Sequence, residues 1–180
     1  MASQPSTCLC RGLVVVLAMQ LCACATTPKH YVYRNKHTRY RIGHPGARWR
    51  RINARGADLA WLHKQDGSLL YTHSLCQSTD TSLLSLAHHL LIGMTDHKVL
   101  QRQTIQLSGR DALRVHMKGK LDGVPRNLQA VVLKKDGCVY DVVLVASPEQ
   151  LQRHHAAFQA VLAPFDVASR AKEMKRQALK

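Results

Sequence analysis

The chain has 180 residues and a formal net charge of +15, with 46% hydrophobic, 21% charged and 5% aromatic residues. That length suits one domain with its own core and leaves little room for two. Sparse aromatics argue against a broad base-stacking platform, while the charge favours acidic partners such as nucleic acid, phospholipid headgroups or anionic envelope polymers, among which compartment decides.

Residues 1–23 read as an export signal. Arg11 precedes an apolar run from Leu13 to Leu21 that is too short to span a bilayer, which takes about 20 apolar residues. Leu21-Cys22-Ala23-Cys24 ends it. This segment resembles the bacterial lipobox, in which Leu and a small residue precede the cysteine that is lipidated and becomes the new N-terminus. The resemblance implies lipidation of Cys24, since Cys22 would follow Leu21 where a small residue is wanted. Each buried CH₂ contributes about 0.8 kcal/mol, so several acyl chains hold a protein at a membrane without a spanning helix. The expected location is the cell membrane or outer membrane, facing the periplasm. In enterobacterial lipoproteins Ala25, in place of Asp, would imply the outer one. Export puts cellular DNA out of reach, so nucleic acid is not an expected partner.

From Ala25 to Ala57 there is no acidic residue, while Lys29, Arg34, Lys36, Arg39 and Arg41 alternate with Tyr31, Tyr33 and Tyr40. With Pro28, Gly43, Pro45 and Gly46 breaking regular structure, residues 24–48 read as a basic flexible tether. Behind an anchored Cys24 it would lie near the bilayer, where Arg34, Lys36, Arg39 and Arg41 are the candidate contacts to anionic headgroups, each contributing about 1 kcal/mol. Residues 166–180 read as a basic tail outside the core.

Residues 49–165 are expected to form a single α+β domain. Asp66-Gly67, Asp122-Gly123 and Asp136-Gly137, with Ser108-Gly109 as a weaker fourth, separate strand-forming runs and predict hairpins. Leu113, Val115, Met117, Gly119 and Leu121 alternate with polar residues in a half-buried strand, whereas Leu128 to Leu133 and Val139 to Ala146 are almost continuously apolar, as in strands covered on both faces. One helix carries Leu83, Leu86, Ala87, Leu90, Leu91 and Met94 as a stripe after Asp80, a candidate N-cap. A second opens at Ser147-Pro148-Glu149-Gln150, with Gln150 placed to close a capping box, and buries Leu151, Phe158, Val161, Leu162 and Phe165. The order is strand, strand, helix, four strands, helix, giving an antiparallel sheet of about six strands flanked by two helices.

The succession Gly109-Arg110-Asp111-Ala112-Leu113-Arg114, Leu121-Asp122-Gly123-Val124-Pro125 and Lys134-Lys135-Asp136-Gly137-Cys138-Val139-Tyr140-Asp141, followed by an apolar strand and a Pro-capped helix, resembles a group of uncharacterised deltaproteobacterial lipoproteins. Their fold is similar to that of PsbP and Mog1. The resemblance covers residues 49–165. It implies a binding or accessory protein, and no partner-site residue of such proteins maps onto a matching motif here.

Of six cysteines, processing at Cys24 would leave Cys76 and Cys138 beside the lipidated one. In an oxidising periplasm such a pair is more often a structural disulfide than two buried thiols or a redox or metal site, and no Cys-x-x-Cys favours the last. Among eleven histidines, His88-His89 and His154-His155 stand out. Adjacent helical residues point about 100° apart, however, and His-Glu-x-x-His is absent, so no metal site is expected. Asp66, Asp122 and Asp136 serve turns, Asp80 and Glu149 sit at helix starts, and Asp58, Asp96, Asp111 and Asp141 are left for acid or base work. Trp49 and Trp61 read as packing residues. No nucleophile elbow, phosphate loop or dinucleotide fingerprint occurs. The expectation is a noncatalytic envelope module with no cofactor and a protein or glycan partner; a small-ligand or metal-binding envelope protein is the alternative.

Overall fold

The computed structural model describes residues 30–77 and 80–168. The expected export signal, Cys24 and the part of the expected tail beyond residue 168 lie outside them. Seven strands, β3 (Trp49–Ile52), β4 (Leu59–His63), β5 (Leu69–Leu75), β6 (Thr95–Leu107), β7 (Arg110–Leu121), β8 (Val124–Lys135) and β9 (Cys138–Ala146), form one antiparallel sheet in the order β3-β4-β5-β9-β8-β7-β6. A smaller sheet, β1-β2-β10, joins β1 (His30–Arg34), β2 (Arg39–Gly43) and β10 (Asp166–Val167). The α+β class holds, with one more strand in the main sheet than the sequence suggests.

Apolar residues explain the layering. β9 is buried along its length except for a half-covered Val145, so both faces of the sheet need cover. On one face Leu113, Val115, Met117, Ala130 and Val143 pack against Ala87 and Leu91 of α1 (Leu83–His89) and the turn after it. On the other, Trp61, Leu70, Leu133, Val142 and Leu144 meet Leu151 of α2 (Pro148–Leu151), Phe158, Val161 and Leu162 of α3 (His155–Leu162), and Tyr40 and Ile42 of β2. Burying a side chain the size of Phe158 contributes about 1.5–3 kcal/mol. In β7 the predicted alternation appears, except that Leu121 at its end is 45% exposed.

The hairpins between β6 and β9 follow the turn signals. Asp122-Gly123, Asp136-Gly137 and Ser108-Gly109 each hold two successive positive φ angles, the geometry of a two-residue turn whose twist matches its strands. Asp66-Gly67 differs. Only Gly67 has positive φ, the connection runs over residues 64–68, and the Asp66 carboxylate accepts the Ser68 backbone N–H at 2.9 Å.

Four boundaries require correction. Residues 30–43 of the expected tether form a hairpin, closed by Asn35, whose Oδ1 accepts the backbone N–H of His37 and of Thr38 at 2.8 Å each. Tyr40 and Ile42 alternate with Arg39 and Arg41, so one side of the basic stretch is apolar and buried. The expected tail starts as β10, with Val167 buried and paired to Tyr40. Ser82, not Asp80, caps α1 by accepting the Ser85 N–H at 3.1 Å. The last helix is broken at residues 152–154, and Ser147 makes no side-chain cap bond.

Buried hydroxyls tie the small sheet to the large one. The Tyr40 hydroxyl donates to Asp58 Oδ2 at 2.9 Å and, having one hydrogen, accepts from Thr72 Oγ1 at 2.6 Å. Thr38 Oγ1 and the Tyr140 hydroxyl lie 2.6 Å apart. Burial, opposed by Thr72 and reinforced by the Asp58 charge, drives the Tyr40 phenol far above its ordinary value. Tyr40→Phe leaves Thr72 and Asp58 without this partner in a buried site, and is expected to lower stability by about 1–3 kcal/mol in denaturant unfolding.

Candidate functional site

The basic hairpin brings three of the four candidate headgroup contacts to one cleft. Arg34, Lys36 and Arg39 line a hollow of about 240 Å³ with Asp136, Cys138 and Tyr140. Arg41 points elsewhere, its Nε donating to the Pro164 carbonyl at 3.2 Å. Cys138, which lines the hollow at the start of β9, is joined by a disulfide to Cys76, just past β5. The bridge continues the β5–β9 ladder one step beyond Leu75↔Val139. Of the alternatives weighed for this pair, it is the one the structure contains.

A second constellation joins residues far apart in the chain. His63 ends β4, Asp66 sits in the following turn, and His154 occupies the break between α2 and α3. The three side chains each offer a ligand atom, all within 4.8 Å of one another. Asp66 Oδ2 lies 2.7 Å from His154 Nε2 and Asp66 Oδ1 lies 3.0 Å from His63 Nδ1. The second contact is short but misaligned, so the buried His63 Nδ1 has no hydrogen bond. Burial by itself would raise the Asp66 carboxyl. The Ser68 backbone N–H, the nearby Ser68 hydroxyl and His154 outweigh it and hold the group well below the ordinary carboxylate range. Trp49 lies edge-on to both imidazoles, with ring centroids 5.2 Å from His63 and 5.0 Å from His154. The only sequence signal for this cluster is the spacing of His63 and Asp66, which a turn explains equally well.

On the opposite face of the sheet, His73 and Asp141 stand directly across the β5–β9 ladder, His73 Nδ1 3.5 Å from Asp141 Oδ2. Asp141 is buried, and its Oδ1 has no hydrogen-bond partner. The pair opens onto a cleft of about 320 Å³ lined also by Arg55, Leu69, Tyr71 and Leu90. Burial, helped by the Asp141 charge, pushes the Tyr71 phenol up to about 12. The bond to Asp141 and its charge raise the His73 imidazole against the opposing effect of burial.

The carboxylates left for acid or base work are all engaged. Asp58 accepts from Tyr40, Asp96 pairs with Lys120 at 2.8 Å, Asp111 accepts from Gln106, and Asp141 faces His73. His88 and His89 are exposed on α1. His154 and His155 diverge as adjacent residues should: His155 Nδ1 lies 3.3 Å from Gln129 Oε1, while His154 faces Asp66. Trp49 and Trp61 are both buried. Among the described residues, no helix is long and apolar enough to cross a membrane.

Neither a family model nor a curated protein matches the chain. Solved structures do. The solution structure of the cyanobacterial PsbP, CyanoP, from Synechocystis sp. PCC 6803 superposes with a TM-score of 0.56 at 12% identity, over 83% of this chain and 99% of that one. The fold is PsbP-like. LpqN, a protein involved in cell envelope biogenesis in Mycobacterium tuberculosis, matches with a TM-score of 0.56 at 13% identity, over 79% of this chain and 92% of LpqN. At such identities the shared property is the PsbP-like arrangement of strands and helices, and no side chain of the sites above is carried across.

Two outcomes are expected. Because the folded His73 is raised, its pairing with Asp141 contributes stability fully below the ordinary imidazole pKa of about 6.5 and loses it as pH rises through the folded value. In an NMR titration the His73 ring should therefore titrate above that value, and Asp141→Asn should bring it down. The disulfide closes a span of 62 residues; reducing it, or replacing both cysteines by Ala, should cost roughly 2–5 kcal/mol in denaturant unfolding.

Proposed function

We propose that this chain is a lipid-anchored, noncatalytic accessory protein of the bacterial envelope, akin to the uncharacterised lipoproteins its turns resemble, whose PsbP-like domain binds a protein or glycan partner. One observation carries the reading: Leu21-Cys22-Ala23-Cys24 stands six residues ahead of His30, where β1 begins. Six residues reach at most about 20 Å even when extended. A lipid on Cys24 would thus hold the domain against the membrane surface, with its basic hairpin first in line. Arg34, Lys36 and Arg39 share a cleft there and are suited to anionic headgroups, each adding about 1 kcal/mol at low ionic strength. The Cys76–Cys138 disulfide fits an oxidising compartment. The envelope role of LpqN, on the same fold, points the same way.

Feeding an alkyne analogue of palmitate to bacteria expressing the chain tests the anchor. Label on the wild-type protein and its recovery in the membrane fraction are expected, with both lost in Cys24→Ala. Unlabelled protein that retains Met1 and stays in the soluble cytosolic fraction would overturn the proposal.

A further inference from the structure

His63, Asp66 and His154 have the chemistry and placement of a transition-metal site. A zinc ion takes imidazole nitrogens and carboxylate oxygens at about 2.0–2.2 Å with tetrahedral angles, so neighbouring ligand atoms sit about 3.3 Å apart. Here the carboxylate oxygens lie 2.7 Å and 3.0 Å from the two imidazole nitrogens. Those distances belong to two different oxygens, and the three ligand atoms together lie within 4.8 Å of one another, so admitting an ion calls for the set to draw in around it, mostly by Asp66, whose side chain is the least buried of the three. The ion would also answer a need that the protein alone leaves unmet. His63 is 6% exposed, and its Nδ1 faces the carboxylate without forming a hydrogen bond; a buried imidazole nitrogen in that state is unfavourable.

The surroundings are those of a held site. Trp49 packs edge-on against both rings, whose centroids are 4.4 Å apart. The Ser68 N–H holds the carboxylate through Oδ1, the oxygen that faces His63. Such supporting contacts orient metal ligands and keep the carboxylate charged. Three elements distant in the chain converge here: the end of β4, its turn, and the break in the C-terminal helix that frees His154 from α2 and α3.

We propose that these three residues bind a divalent transition metal of the zinc class through His63 Nδ1, His154 Nε2 and an Asp66 carboxylate oxygen, leaving the fourth tetrahedral position for water or an incoming ligand. This goes beyond the envelope reading and does not depend on it, because the site is built entirely within the domain.

The test titrates zinc chloride and, separately, cobalt(II) chloride into the purified full chain in detergent at neutral pH, followed by calorimetry and by visible absorption. One equivalent bound with micromolar or tighter affinity is expected, with the intense d–d absorption of four-coordinate cobalt. Asp66→Asn keeps an oxygen that can accept the Ser68 N–H, so the turn should survive; it should weaken binding by at least about 10- to 100-fold, the loss that follows even when a group that only orients a ligand is removed. His154→Gln should weaken it at least as much and abolish the cobalt spectrum, while His88→Gln with His89→Gln should leave both unchanged. Thermal unfolding with and without zinc supplies a second readout: the midpoint should rise in the wild type and not in Asp66→Asn. Absence of binding to the wild type, or binding and cobalt spectra that persist unchanged in Asp66→Asn and His154→Gln, would overturn the assignment.

Discussion

The pairing of β5 with β9, running in register from Leu69↔Val145 to Leu75↔Val139, is the constraint on which the rest of the molecule depends. It joins the first half of the chain to the last strand of the C-terminal meander, two segments that loop-closure entropy would otherwise keep apart. Once β9 occupies the middle of the sheet, apolar side chains emerge on both of its faces, and each must be covered. α1 serves one face; α2, α3 and the small sheet serve the other. The disulfide at the end of this ladder secures the same junction covalently. Both candidate histidine sites are placed by it as well: His73 meets Asp141 within the ladder, and His63 is held one strand further out, on β4.

The local parts of this architecture were legible in the sequence. Alternation along β7, continuous apolarity in β8 and β9, and the Asp-Gly and Ser-Gly turns between them all report short-range physics, and each marks its element. The hairpin of residues 30–43 was hidden by composition. Its arginines and lysine suggest a solvated strap, yet Arg39-Tyr40-Arg41-Ile42 also alternates with the period of a strand, and the apolar member of each step is the one that is buried. Charge content described the outer face of the element and periodicity described the inner one. The stub after residue 165 was hidden differently, because two residues such as Asp166 and Val167 show no period and gain their structure from β2, from Lys135 and from Ser108, whose hydroxyl accepts the Val167 N–H at 2.9 Å.

The histidine sites show where sequence reading stops. Asp66 carries a turn signal and does serve a turn, but its second oxygen reaches a side chain 88 positions downstream. His154 attracts notice only as half of a His-His pair, and its role is decided by a helix break that hydrophobic spacing does not announce. In the same way Asp58, Asp96, Asp111 and Asp141 look unassigned along the chain and are each engaged in space. Partners that lie far apart in sequence leave no pattern for a periodicity argument to find.

The two margins of the seven-stranded sheet have a bearing on how the molecule behaves in a crowd. β3 is only four residues long and presents Arg50 and Arg51 outward, while β6, though thirteen residues long, carries Lys98 and Arg102 and slips register against β7 near Thr95 and again near Val99. A straight, uncharged strand with open N–H and C=O groups would invite the sheet of a neighbouring molecule to continue it. Brevity at one margin, and irregular twist with positive charge at the other, deny that template. Molecules at high local concentration can then remain separate.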